Sequence, residues 1–147
     1  MLRFYPASRA SIPERPEMWR KMREQGWPLV ATWIDVAGPG MINDWGSFWR
    51  TCVREARDAD AVLLYVHYTD LPMKGALVEV GAALGNFKEV YVIIDGFPDE
   101  MEFSDVHAAL GSWSYHPDVS ICGNLRDLRV AIPEAWDREL NRLLKEK

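Results

Sequence analysis

Residues 61–95, AVLLYVHYTDLPMKGALVEVGAALGNFKEVYVIID, constrain the fold more than any other part of the chain. The run 61–67 is continuously apolar as far as His67, the pattern of a strand buried on both faces. A polar loop containing Pro72 follows over 68–74. Gly75 opens a helix expected over 76–87, and residues 89–95 read as a second buried strand. A strand, a helix and a strand in that order make a crossover with parallel strands and a right-handed connection. Glu79 is the anomaly in this unit. Its neighbours Ala76, Leu77, Val78, Val80, Gly81 and Ala82 are small or apolar, so the helix packs against the sheet on nearly all sides. A carboxylate in the expected first turn of such a helix caps its own N-terminus, is paired, or is functional. In an open α/β sheet the carboxyl ends of the strands and the adjoining helix starts form the ligand crevice. Glu79 is therefore the first candidate site residue.

The rest of the chain repeats the strand and helix alternation. Residues 2–7 read as a first strand with Pro6 near its end, where a lost donor is tolerated. A helix is expected over 13–25, entered by Ser11-Ile-Pro-Glu14 in capping-box spacing and stopped by Gly26. Residues 28–34, PLVATWI, read as a second strand with Asp35 at its carboxyl end. A glycine-rich and proline-rich loop covers 36–43. A helix over 44–58 places Trp45, Phe48, Trp49, Cys52, Val53 and Ala56 three and four residues apart, a buried face. Arg50, Arg54 and Arg57 fall on its solvent side. After the central unit, residues 103–110 read as a short helix and 111–117 as an aromatic loop. A final strand falls at 119–122. Asn124 caps a last helix to about residue 145, broken at Pro133. The expectation is one α/β domain: a doubly wound, five-stranded parallel sheet of order 2-1-3-4-5 with helices on both faces. In that order the loops after the first and third strands meet beside Glu79.

Composition narrows the function classes. The 147 residues carry a net charge of −5 and a sequence pI of about 5.2. An acidic chain argues against a nucleic-acid polymer as partner but leaves room for a nucleoside or nucleotide in a local pocket. Cys52 and Cys122 are far apart and lack metal-ligand spacing, so they read as small core residues in a reducing compartment. No apolar run reaches membrane length, and the N-terminus lacks the apolar core of a signal peptide. The expectation is a cytoplasmic protein without a membrane partner. Histidines without spaced partners give no metal site, and no glycine-rich dinucleotide fingerprint is present. The expected chemistry uses no metal and no organic cofactor.

The motif Gly75-Ala-Leu-Val-Glu79-Val-Gly81-Ala-Ala resembles the signature of the nucleoside 2-deoxyribosyltransferases, a superfamily that includes 2'-deoxynucleoside 5'-monophosphate N-glycosidases. Asp58-Ala-Asp60-Ala-Val-Leu-Leu resembles the entry to their third strand, and Leu2-Arg-Phe-Tyr5-Pro-Ala7-Ser8 is similar to their first strand and its tyrosine. Lys74 before the glycine, with Gly111-Ser112-Trp113 and His116-Pro117 later, looks like a subgroup seen in phage and bacterial genomes. The resemblance implies that Glu79 is the nucleophile at the anomeric carbon of a deoxyribosyl group and that Tyr5 orients its carboxylate. It implies a covalent glycosyl intermediate resolved by water or by a second base, as in retaining glycoside hydrolysis. It also implies a homodimer or higher homo-oligomer, with the Ser112-Trp113 segment near the neighbouring subunit's site. The chain departs from the pattern at Cys52, where the family places an aspartate, and at Met73 and Lys74, where an acidic residue is common. Asp70 and Asp35 are the substitutes available to protonate a leaving base.

Further binding candidates come from the residues. Lys74 and Gly75 at a helix start suit a phosphate, joined by Ser8 and Arg9 from the first loop. Trp45 and Trp113 can stack on a base, and His116 lies in the same aromatic loop as Trp113. Three readings stay open: an N-glycosidase or deoxyribosyltransferase, with hydrolysis favoured because Lys74 points to a phosphate; a module that binds a nucleotide without turnover; and an interaction protein using its aromatic loops.

Overall fold

The computed structural model describes residues 1–145. Its centre is a four-stranded parallel sheet of β1 (Phe4–Ala7), β2 (Ala61–His67), β3 (Glu89–Asp95) and β4 (Val119–Cys122), in spatial order β1-β2-β3-β4. Seven α-helices surround it: α1 (Glu14–Glu24), α2 (Trp33–Val36), α3 (Trp45–Asp58), α4 (Gly75–Gly85), α5 (Phe103–Leu110), α6 (Leu125–Ala131) and α7 (Glu134–Lys145). Single 3-10 turns at Tyr68–Asp70 and Ser112–Tyr115 complete the elements of the described residues. β2 and β3 are paired along their full length, from Ala61 opposite Glu89 to His67 opposite Asp95. Their residues Val62, Leu63, Leu64, Val66, Val90 and Val92 are wholly buried, as the continuous apolar runs require.

Helices cover both faces of the sheet. Successive strand residues point to opposite faces, and β1 shows where each leads. Phe4 meets the Trp136 ring of α7 edge-on at 6.0 Å, whereas Tyr5 faces Glu79 of α4 and Cys52 of α3. Asp44 and Asn124 cap α3 and α6, their side chains accepting from the N–H of Ser47 and Asp127. The expected break at Pro133 separates α6 from α7. The capping box at Ser11 does not form: α1 starts after Pro13 with no side-chain cap.

The five-stranded sheet of order 2-1-3-4-5 is corrected to four strands of order β1-β2-β3-β4. Residues 28–34 supply one bridge, Leu29 beside Phe4 at the outer edge of β1, and then turn into α2. The cause is local. Phe4 N–H donates to the Pro28 carbonyl and Val30 N–H to the Phe4 carbonyl, both at 2.9 Å. The next donor toward this segment belongs to residue 6, a proline with no N–H, so the ladder ends. The Pro6 carbonyl instead accepts from the Trp33 indole at 2.8 Å. Glu55 of α3 takes the Thr32 N–H and hydroxyl in its two carboxylate oxygens.

Candidate active site

Glu79 sits one turn inside α4, whose first turn holds no acidic residue, so it does not cap its own helix. It is 7% exposed, and among the described residues its Oε2 has no hydrogen-bond partner. Tyr5, fully buried on β1, faces it, and the Tyr5 hydroxyl, which acts on the Glu79 carboxylate, completes no hydrogen bond of good geometry among the described residues. A buried polar atom left unpaired costs about 1–3 kcal/mol, so the approach of the Tyr5 hydroxyl to the Glu79 carboxylate offsets part of the cost of burying both. Burial pushes the Glu79 carboxyl up to about 7, against the Tyr5 hydroxyl, which favours the anion, and with added repulsion from Glu55. Burial first, then the Glu79 and Cys52 side chains, raise Tyr5 far above the usual phenol range. Burial and the Glu79 charge push the Cys52 thiol up to about 12. At neutral pH Tyr5 and Cys52 therefore hold their protons while Glu79 is poised between its two forms.

Glu79 and Cys52 form the floor of a cavity of about 310 Å³. One wall is the first half of α3, where Trp45, Phe48 and Trp49 follow one another round the helix, with Phe48 edge-on to Trp45 at 5.6 Å. Trp33 closes the side toward α2. The opposite wall is the loop after β1, Ser8 to Ser11, and the start of α4 with Met73, Lys74 and Gly75. The helical periodicity of α3 is thus real, but only its second half packs as core. Cys52 and Ala56 are buried, whereas Trp45 is 59% exposed at the cavity mouth.

The sequence candidates separate clearly. Glu79, Ser8, Arg9, Lys74, Gly75 and Trp45 line this one cavity, and Tyr5 lies against Glu79 beneath it. Ser8 accepts from the Trp19 indole at 2.9 Å, and Arg9 donates to the Asp70 carbonyl at 3.0 Å. Asp70 itself does not line the cavity. Its fully buried carboxylate is held in a fork by Arg15 at 2.8 and 2.9 Å. Burial would raise Asp70, but the Arg15 fork and the His67 N–H outweigh it and hold the carboxyl below its ordinary range. Asp35 lies outside the cavity, on a neighbouring groove, and a fork from Arg23 at 2.8 and 3.0 Å lowers it as well. Neither is placed or poised to give a proton to a base above Glu79. Trp113 and His116 also stand apart: the Trp113 indole donates to the Leu110 carbonyl, and His116 Nδ1 accepts from the Asp118 N–H.

Sequence reasoning missed Phe48, Trp49 and Ser11 as lining residues and Glu55 as a neighbour that bears on Glu79. The spacing 45, 48, 49, 52 was the available signal, since it places an aromatic stripe and a thiol on one helical face. Among the described residues no cluster of three or more histidine, cysteine or acidic side chains is arranged to hold a metal ion, and no helix is long and apolar enough to cross a membrane. No protein-family model matches the chain, and no curated protein matches it significantly.

Proposed function

We infer that the protein cleaves the N-glycosidic bond of a nucleoside or nucleoside monophosphate, with Glu79 as nucleophile and water as the favoured acceptor. The observation that carries this reading is the nearly buried Glu79 carboxylate, its Oε2 unpaired among the described residues, facing the Tyr5 hydroxyl on the floor of an aromatic-walled cavity. The volume of about 310 Å³ falls at the small end of ligand pockets. The Trp45, Phe48 and Trp49 rings offer faces for a base. Lys74, Arg9 and the N–H groups opening α4 lie at the rim, where a 5'-phosphate is met by charge and helix dipole together. Glu79 attacks the anomeric carbon as the base departs, its charge stabilises the oxocarbenium-like transition state, and water hydrolyses the glycosyl ester. Tyr5 orients the carboxylate. The enzyme works as a homodimer in the cytoplasm, and Trp113 and His116 reach a substrate only across a subunit contact.

The experiment is chromatographic: incubate the protein with nucleosides, nucleoside monophosphates and NAD, and measure free base. Release from one class, lost in Glu79→Gln with the fold intact, is expected. It should rise with pH through about 7, because the nucleophile must be ionised. Release that needs an added acceptor base identifies a transferase. A second reading, a nucleotide-binding module without turnover, is favoured by Cys52, whose thiol gives the floor no ready acid. Ligand binding with no product on long incubation would establish it in place of the enzyme.

A further inference from the structure

The cavity holds a candidate nucleophile but no second carboxyl group to help a base leave. Among the described residues, Glu79 is the only carboxyl group lining it. Asp70 and Asp35 are locked in arginine forks elsewhere, and both Glu55 oxygens are engaged by Thr32. A neutral purine or pyrimidine leaves as an anion unless it is protonated, and a placed general acid contributes about 100-fold to 10,000-fold to such a step. A base that is already a cation needs none. With Arg9 and Lys74 kept for the phosphate, the Trp45, Phe48 and Trp49 rings and the Glu79 carboxylate that line the same cavity suit a positively charged ring.

A second observation concerns the other end of the substrate. The cavity adjoins an open groove of about 750 Å³, the two sharing Ala10, Ser11 and Trp45 as common walls. Arg20 lines this groove. Its guanidinium donates to the Ile34 carbonyl at 2.6 Å and adds to the field that lowers Asp35, but the fork on Asp35 comes from Arg23, and among the described residues no carboxylate lies within ion-pair distance of Arg20. A half-buried arginine without a carboxylate fork is suited to an anionic group.

Building on the Glu79 reading, we propose that the substrate is a pyridinium N-glycoside carried on a dinucleotide, with the cationic ring against the aromatic wall and the distal phosphate-linked half in the Arg20 groove. A Glu79 oxygen bonds to the anomeric carbon as the carbon–nitrogen bond breaks. The bonding pair moves onto the ring nitrogen and cancels its charge, so the leaving group departs neutral and takes up no proton. Water then attacks the anomeric carbon, the ester bond breaks back to the Glu79 carboxylate, and the proton of the water goes to solvent. Cys52, whose thiol keeps its proton, lines the same cavity as Glu79 and is the place to introduce a carboxylic acid.

The test compares NAD, nicotinamide mononucleotide, AMP, dAMP and adenosine under one set of conditions. Nicotinamide release is expected to exceed adenine release by about 100-fold or more, and NAD to be preferred over nicotinamide mononucleotide, with that preference narrowing in Arg20→Met. Cys52→Asp should raise adenine release from AMP by about 10-fold or more, with no matching gain for nicotinamide. Adenine released from wild type as fast as nicotinamide would overturn the proposal while leaving Glu79 as a nucleophile. No base from any of the five substrates would overturn the Glu79 reading itself. Equal rates with NAD and the mononucleotide would remove the groove from the substrate's path.

Discussion

Glu79 is held against its own solvation, and this has a consequence for stability separate from any chemistry. Its carboxyl rises from an ordinary value of 4.5 to about 7 in the folded protein, chiefly through burial. A group whose folded value is raised gives its full stability below the unfolded value and loses it as pH climbs through the folded one. The folded state should therefore weaken between about pH 4.5 and pH 7, by about 3 kcal/mol at 1.36 kcal/mol per unit. Glu79→Gln removes this titration, so its stability relative to wild type should be about 3 kcal/mol more favourable at pH 8 than at pH 4 in urea denaturation. Parallel curves for the two proteins would show that Glu79 titrates normally. Glu79 itself was legible in the sequence because a lone acid in an apolar helix is conspicuous. Glu55 was not: its effect depends on α3 and α4 packing side by side, and nothing in the spacing of one helix reports the approach of another.

That packing also explains Gly75. A methyl group placed there would fall 2.7 Å from Cη2 of Trp49 and 3.1 Å from Cζ2, so the start of α4 and the aromatic wall of α3 touch through the absence of a side chain. Gly75→Ala should displace the Trp49 ring that lines the cavity, at a strain of about 1–3 kcal/mol, and weaken ligand binding. The fold should survive, because Gly75 is at a helix start rather than in the core. Titration of a nucleotide against the Gly75→Ala protein, and against Gly75→Ala with Trp49→Phe, tests this. The smaller ring should restore much of the affinity, and a loss of equal size in both would place the fault in the backbone of α4 instead. Among the elements, α4, β2 and β3 were legible within two residues because each carries its own pattern. The segment 28–34 carried a strand pattern and became one bridge and a helix. Its fate was decided by Pro6, 22 residues before Pro28, and by Glu55 and Trp33 contacts made only after folding.

These differences divide the molecule into a firm half and a yielding half, and the site lies on the boundary. β2 and β3 run seven residues side by side with a neighbour on each outer flank, the setting in which N–H groups are expected to open only with the whole fold. The outer edge of β1 has just the two hydrogen bonds around Phe4 before the ladder ends. The cavity takes its floor from the first half, through Glu79 on a helix packed over β2 and β3. Its walls come from the second: the loop after β1, Trp33 of α2 and the first turns of α3. Hydrogen exchange should then show Val92 and Leu64 among the slowest amides and Val30 faster by orders of magnitude, since opening one bridge breaks little else. A nucleotide seated between floor and walls should slow the amides of residues 8–11 and 45–52 and leave Val92 tied to the global stability, which rises only by the binding linkage. Val30 exchanging as slowly as Val92 in the free protein would mean that residues 28–34 behave as a fifth strand in solution. The division between firm floor and yielding walls would then be lost.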